Sequence, residues 1–235
     1  IYVTAATGQL NLGGAGFQAI GAYTCALLSN EMGLPIYLTL IFSAIFGGMI
    51  SFFISFPILR TKGVYMVLAT FAIAEIVAGI ILNSDYLGGP TGMVVNAYIE
   101  TEVILMVAIT VVLFGFYLMS TRVGLAMRAV HDDEAVADLM GVNKRAVQVG
   151  AFTLGGAIAG LSGGLYALYF GFIEAQYFNA NISIFVLLYV LIGGTQTAWG
   201  PLVGASFFTL IPEALRIGDD WRFFIFGIIN DKYLI

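Results

Sequence analysis

The chain has 235 residues, of which 60% are hydrophobic and 10% charged, and its formal net charge is −5. Soluble domains carry about 25% charged residues, so the composition excludes a soluble globular protein and indicates a polytopic membrane protein. One histidine and one cysteine exclude a zinc cluster and an internal disulfide, and neither a cofactor nor a nucleic-acid partner is expected.

With apolar runs of about 20 residues read as membrane spans, helices are expected near 11–29, 35–58, 64–83, 102–119, 146–172, 182–197 and 199–215. Partial runs sit at 1–8 and 223–229, and Ile1 already lies inside apolar sequence, so a preceding segment is expected. The fold class is all-α: a polytopic transmembrane helical bundle with broken helices, read as one domain over 1–235.

Residues 7–16, TGQLNLGGAG, place four glycines between apolar runs. Glycine there opens the helix ladder, and Gln9 and Asn11 are candidates to take up freed backbone groups or line a substrate path. The alternative is close helix packing or a surface loop. Cys25, in an apolar segment, reads as a packed thiol.

Charge is distributed unevenly. Loops 30–34 and 84–102 carry Glu31, Asp85, Glu100 and Glu102 with no Lys or Arg, whereas loops 59–63 and 120–145 hold six of the nine basic residues. The span count puts the two basic loops on one side, which the positive-inside rule makes cytoplasmic. The turn-rich GGPTG at 88–92 and the loop 173–181 with Glu174 then fall outside. Glu75, in TFAIAEIVAGIIL, is the one carboxylate well inside a span. A carboxylate at that depth is a candidate for the substrate pathway, or else a hydrogen-bonded group fixing helix packing. Glu213, beside Pro212, reads as interfacial.

Eight of the 23 charged residues, with the single histidine, lie between Arg122 and Arg145. Val123, Met127, Val130, Ala137 and Met140 recur at roughly helical spacing, while Arg128, Asp132 and Asp138 point elsewhere. Asp132 or Asp133 is positioned to cap a second short helix, EAVADLM, and Gly141 to end it in a left-handed turn. Asn143 caps the next span. Two helical pieces, 123–130 and 133–140, are therefore expected. A connector this long suits docking of a soluble partner better than mere connection.

GGAIAGLSGG at 155–164 sets Gly156, Gly160 and Gly164 at four-residue intervals, a stripe for close helix packing, either inside the chain or at a subunit interface. GGTQTAWGP breaks the apolar stretch 182–215, where Trp199 and Pro201 suit an interfacial turn. The sequence contains no GxxxxGK[ST] and no nucleophile–base pair, so no ATP hydrolysis is expected of this polypeptide.

Several blocks together resemble the permease subunits of branched-chain amino-acid ABC importers. They are Gly21-Ala22-Tyr23, Phe56-Pro57-Ile58-Leu59-Arg60 with Gly63 and Tyr65, Glu75-Ile76-Val77 and Gly88-Gly89-Pro90-Thr91-Gly92. Gly124-Leu125-Ala126-Met127-Arg128-Ala129 with Asp133-Glu134-Ala135 and Gly141 continues the match, as do Ala151-Phe152, the stripe 155–164, Gly193-Gly194 and Gly200-Pro201. The Phe-Pro-Ile-Leu-Arg and Gly-Gly-Pro blocks are similar to the M-type rather than the H-type permease. The resemblance implies a bacterial inner-membrane heterodimer with a paired homologous permease, two cytoplasmic ABC ATPase subunits, a periplasmic substrate-binding protein and membrane lipid around it.

It also implies that the helices at 123–141 couple to the ATPase, comparable to the EAA loop of other ABC importers, with Arg128, Asp133, Glu134, Ala137, Met140 and Gly141 as the coupling residues. Two departures stand out: Gly14 replaces a frequent histidine, and the terminal NDKYLI lacks a basic Arg-Pro tail. The alternatives are a urea or short-chain amide ABC permease, an ion-coupled secondary carrier relying on Glu75, and a structural membrane protein.

Overall fold

The computed structural model describes residues 1–210 and is almost entirely helical. The expected run at 223–229, the end of 199–215, Glu213 and the terminal NDKYLI lie outside the described residues. In chain order the helices are α1 (Tyr2–Ala5), α2 (Gly14–Met32), α3 (Ile36–Ile58), α4 (Val64–Leu82) and α5 (Thr101–Ser120). They continue with α6 (Arg122–Asp132), α7 (Glu134–Leu139), α8 (Lys144–Phe170) and α9 (Ala180–Gly193), then α10 (Gly200–Leu210). Among the described residues, five helical stretches are long and apolar enough to cross a membrane: α3, α4, α5, α8 and Ala175–Gly193.

α2 is as long as a span yet does not reach that hydropathy, because its surroundings are protein rather than lipid. Ala15, Phe17, Ala19, Ala22, Cys25 and Ala26 are all buried. Its neighbour α8 owes its central place to glycine. A Cβ on Gly160 would lie 2.4 Å from the carbonyl oxygen of Ser43 in α3, and one on Gly21 would lie 2.0 Å from the Gly160 carbonyl. Both helices therefore approach α8 backbone to backbone, where dispersion replaces the missing hydrophobic drive. Ser51 Oγ fastens α3 to α8 by donating to the Phe152 carbonyl at 2.7 Å. The stripe at 156, 160 and 164 thus serves packing inside the chain.

α5 is the outlying helix, with only Leu118 and Met119 buried. It stands off α8, leaving apolar clefts of about 400 and 540 Å³ that share Val111, Val112, Ile158 and Ser162.

The two ends of the bundle differ in chemistry. At the acidic end, β1 (Met93–Val94) pairs antiparallel with β2 (Phe172–Ile173). There Asn30 Nδ2 donates to the Val94 carbonyl at 2.6 Å, and Tyr86 donates to Glu31, which holds the phenol above its ordinary pKa. At the basic end, Lys62 lies 3.4 Å from Glu134, and Gln196 donates to Asp132 at 3.3 Å. The two basic loops therefore share one end, and the GGPTG loop shares the other with the residues after α8.

Candidate functional site

Two helices, α2 and α9, begin inside the apolar bulk, and side chains of α4, of α9 and of the broken segment itself accept from the N–H groups at their starts. The chain after α1 unwinds through Thr7–Gly13, where backbone donors must be satisfied without a helix. Leu12 N–H donates to Thr70 Oγ1 of α4 at 3.0 Å, Gly13 N–H to Asn11 Oδ1 at 2.7 Å, and Ala15 N–H to Ser183 Oγ of α9 at 2.8 Å. α9 starts alongside, with its first N–H, that of Ala180, donated to Glu75 Oε1 at 3.2 Å. A carboxylate at a helix N-terminus complements the macrodipole there.

The polar residues expected in this region take different roles. Asn11 is buried and its oxygen is spent on Gly13, so it shapes the break. Gln9 is buried too, and its Oε1 meets no donor. Glu75 lies on the exposed flank of α4, beside Ile76 and Ile80. The sequence missed Thr70 and Ser183, which hold the break from outside; a lone hydroxyl within an apolar helix was the available signal.

α6 and α7 form the second constellation. Met127 and Val130 are buried as the spacing predicts, but Val123, expected on the same stripe, is half exposed and Gly124 takes the inward position beside the end of α5. Asp133 caps α7, accepting from Ala135 N–H at 2.7 Å and Val136 N–H at 3.1 Å, while Asp132 belongs to the end of α6. Gly141, at φ +81°, ends α7: its N–H donates to Asp138 and that of Val142 to Ala137, a Schellman pair. Asn143 Oδ1 then accepts from Ala146 N–H at 3.0 Å and starts α8.

Placement of the side chains departs from the single apolar patch expected of Ala137 and Met140. Ala137 is 2% exposed and turned inward, where its small size lets α7 lie close to the bundle. Met140 is 80% and Leu139 87% exposed, and Val136 also faces out. Leu139 and Val136 are thus the outward residues that sequence reasoning missed, although their spacing with Met140 is helical. Glu134 turns back toward the bundle, between Lys62 at 3.4 Å and Gln148 at 3.1 Å. Arg128 faces a cleft between the end of α5 and the turn before α10, away from α7.

The family described as branched-chain amino acid transport system, permease component, matches residues 1–229. The chain belongs to this permease family. Its relatives include the "High-affinity branched-chain amino acid transport system permease protein LivM" of Escherichia coli K12, 27% identical over 96% of this chain and 61% of the relative. LivM of Salmonella typhimurium is 28% identical with the same coverage. The probable LivH permease of Methanocaldococcus jannaschii is 28% identical over 86% of this chain and 70% of its own length. The chain spans about three fifths of the length of the LivM relatives it matches. No solved structure matches significantly. Membership of the family agrees with the apolar helices, and this permease-family chain is a multi-pass membrane protein.

Proposed function

We propose that this chain is the membrane-spanning permease subunit of an ATP-driven importer for branched-chain or related small hydrophobic amino acids in a bacterial inner membrane. The substrate class is the one for which its LivM and LivH relatives are named. The observation that carries the coupling role is α7, a helix fixed at both ends whose Leu139 and Met140 stand almost fully exposed at the basic end. The positive-inside rule turns that end to the cytoplasm, where ABC ATPase subunits would bind.

In this reading Val136, Leu139 and Met140 enter a groove of the ATPase, while Asp133, Glu134 and Gly141 hold α7 in shape and in place. Asn143 joins α7 directly to α8, on which α2 and α3 pack by glycine, so displacement of α7 moves the central helix as a rigid body. α2 and α9 are linked through Ala15 and Ser183, which would carry the movement to the broken segment and to Glu75. The exposed flank of α4 with Glu75 would border the translocation route against a paired homologous permease, with Gln9 and Asn11 behind it holding its wall. A periplasmic binding protein would dock at the acidic end.

The test is reconstitution with the ATPase, paired permease and binding protein that copurify. Leucine, isoleucine or valine should enter proteoliposomes only when ATP reaches the ATPase. Uptake by this chain alone on a sodium or proton gradient would overturn the reading in favour of a secondary carrier. Uptake of urea or short amides without leucine would transfer it to the amide permeases.

A further inference from the structure

At the basic end, where α5 stops, α6 begins and the turn before α10 folds over, lies a cleft of about 610 Å³ lined by Phe116, Ser120, Thr121, Arg122, Arg128 and Trp199, among others. Its chemistry is divided. Phe116 and Trp199 pack edge to face at 4.8 Å and give one wall an aromatic surface, while Arg122 and Arg128 line the same cleft. Among the described residues neither arginine has a carboxylate within 4 Å, and the salt bridges formed are those of Lys62 and Lys144. Arg128 Nε is buried and meets no acceptor. Asp132, one turn further along α6, is the nearby carboxylate in the sequence, and it accepts from Gln196.

The start of α6 adds to this field. Its N-cap, Thr121, makes no side-chain capping bond, because its hydroxyl donates to the Leu118 carbonyl at 2.7 Å. Ser120 likewise donates to Tyr117. The first N–H groups of an eleven-residue helix thus open beside Arg122 without a cap. Two arginines, one with an unpaired buried donor, and an uncapped helix start all call for an anion bearing several acceptor oxygens.

Position decides which anion. The cleft lies at the end of α5, whose Leu113, Phe114 and Tyr117 are exposed along a span-length helix and so face lipid, or a partner, at that depth. Trp199 is exposed at the same level, where indoles mark the membrane–water boundary. We infer that this cleft binds the phosphodiester of an anionic glycerophospholipid of the inner leaflet, headgroup on Arg122 and Arg128 and acyl chains along Phe116 and α5. Basic pockets between spans on the cytoplasmic side suit such headgroups. Bound lipid would brace α6 against α5 and the turn before α10, so the site would steady the base on which α7 stands.

The test is thermal unfolding of the full chain in neutral detergent, titrated with phosphatidylglycerol, with phosphatidylcholine of the same acyl chains, and with inorganic phosphate. Phosphatidylglycerol should raise the unfolding midpoint, and the other two should leave it in place. Arg122→Gln and Arg128→Gln should each weaken the phosphatidylglycerol effect about five-fold, and Arg122→Lys should largely keep it. Should Arg128→Gln fail to fold, Arg122→Gln, at an exposed position, still reads the charge. Equal shifts with both lipids, or undiminished phosphatidylglycerol affinity in the Gln variants, would overturn the inference. A full shift with inorganic phosphate would assign the cleft to a soluble anion instead.

Discussion

Glu75 and Ala180 are 105 positions apart in the chain, yet the carboxylate of one caps the first N–H of the helix begun by the other at 3.2 Å. This contact couples the middle of the span-length α4 to the start of α9. Glu75→Ala strands that donor and should cost about 1–3 kcal/mol. Glu75→Gln keeps an acceptor and should unfold close to the wild type. Thermal unfolding in detergent separates the two, and equal midpoints for both would remove the capping role. Uptake by the reconstituted complex then reads the charge: lost transport in a folded Glu75→Gln places the carboxylate on the route.

Glycines of the same chain should divide by what surrounds them. A Cβ at Gly160 meets the Ser43 carbonyl at 2.4 Å, whereas one at Gly79 meets nothing within 4 Å. Gly160→Ala should therefore force α3 away from α8, at about 1–3 kcal/mol as for other overpacked cores. Gly79→Ala should leave stability unchanged or slightly raised, since alanine is the better helix former. A similar loss from both substitutions would mean that glycine flexibility rather than close approach matters in this bundle.

Most span positions were legible because a membrane demands long uninterrupted apolar runs, and α3, α4, α5 and α8 begin and end within about two residues of their expected limits. That the two basic loops share one end was legible from the span count, and Lys62 beside Glu134 shows it. Where side chains point was less so. Ala137 and Met140 are three apart and read as one face, but α7 is only six residues long and Met140 already belongs to its C-cap. Periodicity says little over so short a helix, and the size of each residue decides: alanine packs inward, leucine and methionine stay out. The end of the expected span 182–197 was misplaced for another reason. α9 stops at Gly193, because Gly193 and Gly204 let α10 return against α9 with contacts that any Cβ would block.

That placement sets the expectation for α7. Leu139→Glu and Met140→Glu put charge on an outward face and should leave unfolding unchanged while reducing ATPase binding and ATP-dependent uptake. Ala137→Trp should act differently, lowering stability itself, because the residue is buried against its own chain. Copurification of the ATPase alongside the unfolding midpoint distinguishes these. Undiminished ATPase binding in both glutamate variants would show that α7 is not the docking surface.

The rigidity of α7 rests on its two ends, and Gly141 allows the sharper test. Its φ of +81° is a left-handed conformation, yet nothing stands within 4 Å of where a Cβ would go. Substitution there is therefore penalised by backbone strain alone, about 1–2 kcal/mol for a residue with a Cβ. Asparagine tolerates this conformation better than valine. Gly141→Val should loosen the end of α7 and its junction with Asn143, whereas Gly141→Asn should retain most of the wild-type behaviour. Asp133→Ala, at the other end, removes a cap worth about 1 kcal/mol. If α7 transmits force as a rigid body, Gly141→Val and Asp133→Ala should let ATP hydrolysis continue while uptake falls, with Gly141→Asn close to normal. The ratio of substrate carried to ATP consumed in the reconstituted complex measures this directly, and an unchanged ratio in both damaged variants would reduce α7 to a connector between α6 and α8.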